Sequence, residues 1–130
     1  MDWNIKKNQE MSGIDFLVDT NILIYLHEAK PAVLPFLEFS WSCSIITEME
    51  LLGNHNLSTK EKSKIQSLLE DCVIFSFSED IKTITINIKQ TKKIKLPDAI
   101  IAATAIYYNL PLLSADRGFK NIPDLRLLTF

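Results

Sequence analysis

Apolar and polar positions along this chain alternate in blocks of two kinds. Phe16-Leu17-Val18 is a short apolar run ending in Asp19-Thr20-Asn21, after which Ile22-Leu23-Ile24-Tyr25-Leu26 follows. The pattern predicts a buried strand feeding a helix, with Thr20 or Asn21 available to cap the helix. Pro31 and Pro35 bracket a second helix reaching Phe39. Trp41 to Ile46 reads as a second strand and Thr47 to Leu52 as a short helix closed by Gly53. Ser58 then caps a polar-faced helix whose apolar stripe includes Ile65, Leu68 and Leu69, and Cys72 to Phe77 is a third strand.

The next segment satisfies two periods. Ile84, Ile86 and Ile88 alternate with Thr85, Asn87 and Lys89 as in a strand, whereas Ile81, Ile84 and Ile88 mark one helical face behind a helix start at Ser78-Glu79-Asp80. Helix is the better reading, because a crossover helix completes the alternation. Pro97 and Asp98 open a helix rich in small residues, Ala99 to Asn109. Pro111 to Ala115 is a fourth strand and Leu125 to Thr129 a fifth. Strands alternating with helices predict an α/β fold, a parallel sheet covered on both faces.

Composition narrows the class. At 130 residues the chain has room for one domain, and hydrophobic and charged fractions of 47% and 23% are those of an ordinary globular protein. A net charge of −2 excludes an overall basic coat, while leaving room for a local basic path. The nearly apolar stretch Ala99 to Tyr108 is too short to cross a bilayer, and no signal-like start precedes the first strand. Cys43 and Cys72 cannot make a disulfide framework and read as buried free thiols. A cytoplasmic protein is expected.

The topology then places the acidic residues. In parallel sheets, ligands gather beyond the carboxyl ends of the strands, where strand order reverses. Asp19 ends the first strand, Asp116 follows the fourth, and Glu50 lies early in the helix leaving the second. Asp98 opens the helix that runs back into the fourth strand, so its start lies on the same rim. Alone, each would be an ordinary partner for a helix dipole. Together, carboxylates about 5 Å apart repel by roughly 3 kcal/mol per pair at an effective dielectric of 20, so such a cluster implies a bound cation or a held proton. An all-oxygen donor set favours Mg²⁺ or Mn²⁺ over zinc, and such ions bind phosphates, which points to hydrolysis of a phosphodiester.

The same stretches resemble the PIN-domain nucleases, and most closely the VapC-type ribonuclease toxins of toxin–antitoxin pairs. The matching segments are Phe16 to Ile24, Ser44 to Gly53, Lys95 to Ala105 and Leu112 to Phe119, in that order. The family's acidic positions fall on Asp19, Glu50, Asp98 and Asp116. The resemblance implies a three-layer α/β/α fold with strand order 3-2-1-4-5. It also implies Mg²⁺ or Mn²⁺ dependence, cleavage of RNA, a homodimer, and inhibition by a separate antitoxin protein. Supporting roles carry over to Asn21 and Thr20, which could hold Asp19 or a water, and to Ser114, which could orient Asp116 or a water. The simpler roles are a helix cap and a strand-end turn.

Glu48 rivals Glu50, but at 100° per residue the two project about 200° apart, and the family places its Glu directly before Leu, which selects Glu50. His27, His55 and Phe119 read as structural, with Phe119 plugging the sheet edge. Lys89, Lys92, Lys93 and Lys95 form the one basic cluster and lead into Asp98. They could track the phosphates of RNA, or they could be a solvated helix end. A dimer is expected to use the Ala-rich helix together with the helices bearing Tyr25, Leu26 and Phe36. Residues 1–10 have little apolar periodicity and read as an extension outside the nuclease domain, residues 11–130.

Three rival classes are weighed on named positions. A receiver-like domain needs an Asp after the third strand, where Ser76-Phe77-Ser78 stands, and a dehalogenase-type phosphatase needs an Asp where Asn21 stands. A PIN-like module that only binds RNA or a partner is disfavoured, since all four acidic positions are filled. A housekeeping metal nuclease, or one that cuts DNA, stays open at this point.

Overall fold

The computed structural model describes residues 13–129. Strand β1 (Phe16–Val18) is buried along its length, and its residues divide between two cores. Phe16 and Val18 pack into one and Leu17 into the other, the period-two alternation of a strand covered on both faces. β2 (Trp41–Ser44) and β3 (Val73–Phe75) extend the sheet on one side of β1, and β4 (Leu112–Leu113) and β5 (Leu127–Leu128) on the other. Every neighbouring pair is parallel, in the order β3-β2-β1-β4-β5. That is the order expected from the resemblance.

Helices α1 (Thr20–His27), α2 (Ile45–Leu52) and α3 (Thr59–Glu70) cover the Phe16 face, where Ile22, Leu23, Leu51, Ile65 and Leu69 meet Trp41, Cys43 and Leu113. Helices α4 (Glu79–Thr91) and α5 (Leu96–Tyr107) cover the Leu17 face. The three-layer architecture follows. The ambiguous segment is α4: Ile81, Thr85 and Ile88 are its buried residues, a spacing of four and three that only a helix turns to one side. Ser78 caps it by accepting from the Ile81 N–H, and the buried Thr85 hydroxyl is satisfied by the Ile81 carbonyl at 2.7 Å.

Several boundaries differ from the sequence expectation, each for a local reason. The cap of α1 is Asp19 rather than Thr20 or Asn21, because its carboxylate accepts from the Asn21 N–H. β2 stops at Ser44 rather than Ile46, since the Ser44 hydroxyl accepts from the Ile46 N–H and starts α2 two residues early. The segment between Pro31 and Pro35 forms a 3₁₀ helix, Pro31–Phe36, and ends short of Phe39. β3, β4 and β5 are shorter than the apolar runs that contain them. α5 begins at Leu96 with Pro97 in its first turn, where the missing N–H costs nothing, and ends at Tyr107.

The Ala-rich helix is not the free surface that the dimer expectation supposed. Ala99 and Ile101 to Ala103 and Ala105 are each 0% exposed, and they pack inside the core against the sheet and α4. Exposed apolar side chains cluster instead around the 3₁₀ helix, at Leu34, Leu37 and Phe39. Phe119 is fully buried in the α5-side core, a packing role. Cys43 is buried and Cys72 half-buried, both as free thiols. The N-terminal extension, residues 1–10, lies outside the described residues. No helix among the described residues is long and apolar enough to cross a membrane.

Candidate active site

The carboxyl ends of β1 and β4 lie side by side at the reversal of strand order, and the chain puts its acidic groups there. Asp19 leaves β1 directly and is 3% exposed. Both of its oxygens are held: Oδ1 accepts from the Asn21 backbone N–H at 3.1 Å, and Oδ2 accepts from the Ser114 hydroxyl at 2.5 Å. Ser114, itself fully buried after β4, also accepts from the Asp116 N–H at 2.9 Å. Asp116 is exposed, and its Oδ1 accepts from the Gly118 N–H at 2.8 Å, which caps a short 3₁₀ turn, Arg117–Phe119. A Cβ at Gly118 would come within 3.1 Å of that same Oδ1, so the absent side chain is part of the turn.

Glu50 stands on α2 and is exposed, yet it is tied to the rim by the Thr20 hydroxyl, which donates to Oε1 at 2.7 Å. Glu48 points elsewhere, into a separate cleft with Leu52, Gln66 and Glu70. Asp98 occupies the first turn of α5 and is half-buried.

Asp19 and Asp98 both sense the neighbouring carboxylates. Burial pushes the Asp19 carboxyl up, against the lowering effect of its bonds to Ser114 and Asn21, and Asp116 and Glu50 add repulsion. Burial likewise raises Asp98, assisted by Asp19, Asp116 and Glu50, while the Lys95 ammonium opposes the rise. The cluster is thus short of positive charge. Among the described residues, no three carboxylate, imidazole or thiol groups stand close enough together to grip one ion. The donors on this rim are all carboxylate or hydroxyl oxygens, the ligand type that hard ions take. The donor chemistry fits such an ion.

The supporting residues differ in part from expectation. Ser114 contacts both Asp19 and the backbone of Asp116, so it bridges two acidic positions. Thr20 serves Glu50 rather than Asp19, and Asn21 contributes its backbone N–H. The sequence reading missed Thr47, a fully buried residue whose hydroxyl lies 3.0 Å from that of Thr20. It precedes Glu50 by three residues, which puts both on one face of α2, and that spacing was the available signal. His55 is exposed in a loop, and His27 closes α1 beside Leu23, Ile65 and Leu68.

Lys89 to Lys95 line a shallow basin of about 690 Å³ between α4 and α5, and none of the four carboxylates lines it. Lys89 Nζ donates to the Ile94 carbonyl at 2.6 Å, closing the turn. No ion pair is formed by Lys89, Lys92, Lys93 or Lys95 among the described residues.

Comparison with known proteins gives the arrangement a context. Among solved structures the chain is similar to a toxin–antitoxin complex from Klebsiella pneumoniae, with 32% identity, 88% of this chain and 97% of that chain covered, and a TM-score of 0.77. It is also similar to FitAcB from Neisseria gonorrhoeae, with 28% identity, coverage of 88% and 96%, and a TM-score of 0.69. In fold it matches VapBC2 from Rickettsia felis bound to a promoter DNA fragment, at 23% identity, coverage of 90% and 99%, and a TM-score of 0.79. A comparison with curated proteins finds no match. Residues 16–125, which carry all four rim carboxylates, match the PIN domain, and the chain belongs to that family.

Proposed function

We propose that this protein is a Mg²⁺- or Mn²⁺-dependent endoribonuclease and the toxin of a toxin–antitoxin pair. The observation that supports the reading most is the held carboxylate of Asp19 at the end of β1, bonded to Ser114 beyond β4, with burial and the neighbouring acids Asp116 and Glu50 pushing its carboxyl up. Membership of the PIN domain family and likeness to a toxin–antitoxin complex support the same reading.

Asp19, Glu50, Asp98 and Asp116 would hold the ion, in part through its waters. When bound, the ion offsets the carboxylate charge, stabilises charge on the phosphate and acidifies water at the site. The chain's own contribution is orientation. Ser114 and the Asn21 N–H fix Asp19, Thr20 fixes Glu50, and the Gly118 N–H fixes Asp116, so three of the four carboxylates need little rearrangement when RNA arrives. Lys92, Lys93 and Lys95 draw the phosphates of the strand toward Asp98, and Lys89 shapes the turn that presents them. The antitoxin is a separate chain, and the toxin pairs with a second copy of itself.

Incubation of the purified protein with single-stranded RNA and with DNA of the same sequence, with and without Mn²⁺, tests the reading. Cleavage of RNA that needs Mn²⁺ and is lost in Asp98→Asn is the expected result. Metal-independent cleavage, no cleavage, or a preference for DNA would overturn it.

A further inference from the structure

The Thr20 hydroxyl stands between two oxygens, 2.7 Å from Glu50 Oε1 and 3.0 Å from Thr47 Oγ1. A hydroxyl owns one proton, and an ionised carboxylate can only accept. The Thr20 proton is therefore committed to Glu50, and Thr47 must be the donor in the second bond. Thr47 is 0% exposed, and Thr20 is its only side-chain partner among the described residues. Other buried helical threonines behave differently. Thr85 and Thr104 turn their hydroxyls back onto their own helices, to the carbonyls of Ile81 and Ile100, each at 2.7 Å. Thr47 sits in the first turn of α2, and the residue four positions before it, Cys43, still lies in β2. Its proton points across to α1 instead.

Resting on the reading of Glu50 as a site residue, we propose that Thr47 is a positioning residue. Its O–H fixes the rotor of Thr20, and Thr20 in turn fixes the carboxylate of Glu50, an otherwise solvent-exposed side chain. The relay occupies Oε1 and leaves Oε2 for the site. One consequence is directional: the chain of bonds runs Thr47 to Thr20 to Glu50 and cannot run backwards while Glu50 is ionised.

Two substitutions separate positioning from packing. Thr47→Val keeps the branched shape and removes the hydroxyl; Thr47→Ser keeps the hydroxyl and removes a buried methyl. The Val variant should lose about three- to tenfold in kcat, the worth of one net hydrogen bond, with KM for RNA unchanged. The Ser variant should stay within about twofold of the parent in kcat while melting at a lower temperature than the Val variant, since a buried methyl is lost. The orders of stability and activity thus cross. In the metal-free protein, the ¹³C carboxyl resonance of Glu50 should move toward that of a solvated glutamate in Thr47→Val and in Thr20→Val, and stay put in Thr47→Ser. An unmoved resonance in Thr47→Val, or activity that tracks melting in both variants, would overturn the relay. If the parent protein cleaves nothing, the nuclease reading fails while the carboxyl resonance still decides the relay.

Discussion

Ser114 Oγ donates to Asp19 Oδ2 across 2.5 Å and joins two residues that stand 95 positions apart in the chain. The bond ties the end of β4 to the end of β1 where the strand order reverses. Ser114→Ala should leave a carboxylate that is 3% exposed without its hydroxyl donor, at a cost of about 1–3 kcal/mol. The urea midpoint of the metal-free protein measures this, and an unchanged midpoint would mean that water replaces the hydroxyl without loss.

The two glutamates of α2 should separate cleanly. Glu50→Gln should lower RNA cleavage on the order of a hundredfold, the scale of one electrostatic group in an active site. Glu48→Gln should leave most of the activity and shift stability by no more than about 0.5 kcal/mol. Reversed losses in a side-by-side cleavage assay would show that the wrong face of α2 has been assigned to the site.

Stability should depend on pH with a definite sign. Burial raises the Asp19 carboxyl above its unfolded value of 3.8, so the folded state holds that proton more tightly than the unfolded state does. The stabilisation is complete below the unfolded value and is lost as pH rises through the raised one. Asn caps a helix as well as Asp, so Asp19→Asn keeps the cap and removes the ionisation. The metal-free variant should therefore melt above the wild type at neutral pH, with the gap closing toward pH 4. Adding Mn²⁺ at a hundredfold excess over its Kd should raise the wild type by about 2.7 kcal/mol and the variant by less. Parallel melting curves for the two proteins across pH and Mn²⁺ would sink both parts.

Light scattering at tens of micromolar should give twice the mass of the chain. The exposed Leu34, Leu37 and Phe39 offer the apolar surface, and Leu37→Glu should shift the mass toward the monomer. A monomeric wild type removes the dimer from the functional reading.

The sequence places Asp19 and Asp116 just past strand ends and Glu50 on the helix leaving the second strand. It places Asp98 at the start of the helix running back to the fourth, and the fold has those elements in that order. Strand order came from the family resemblance and not from periodicity, since apolar runs do not say which neighbour a strand chooses. Boundaries failed where a short polar side chain claimed a backbone N–H, as Ser44 does for Ile46 and Asp19 for Asn21. Thr47 escaped notice because a threonine inside a helix ordinarily bonds to its own turn. Ala99 to Ala105 were assigned in part to a partner for a related reason, since a run of small residues permits close packing without saying against what.

That buried run has a consequence for Asp98. Alanines at 99, 102, 103 and 105, all 0% exposed, let the axis of α5 sink close to the sheet, and Asp98 rides on the first turn of that helix. The packing of these alanines therefore also fixes where the first turn, and Asp98 with it, comes to rest. A single added branch at Ala102 would lift the whole rod and carry the carboxylate with it, altering the site without touching any residue in it.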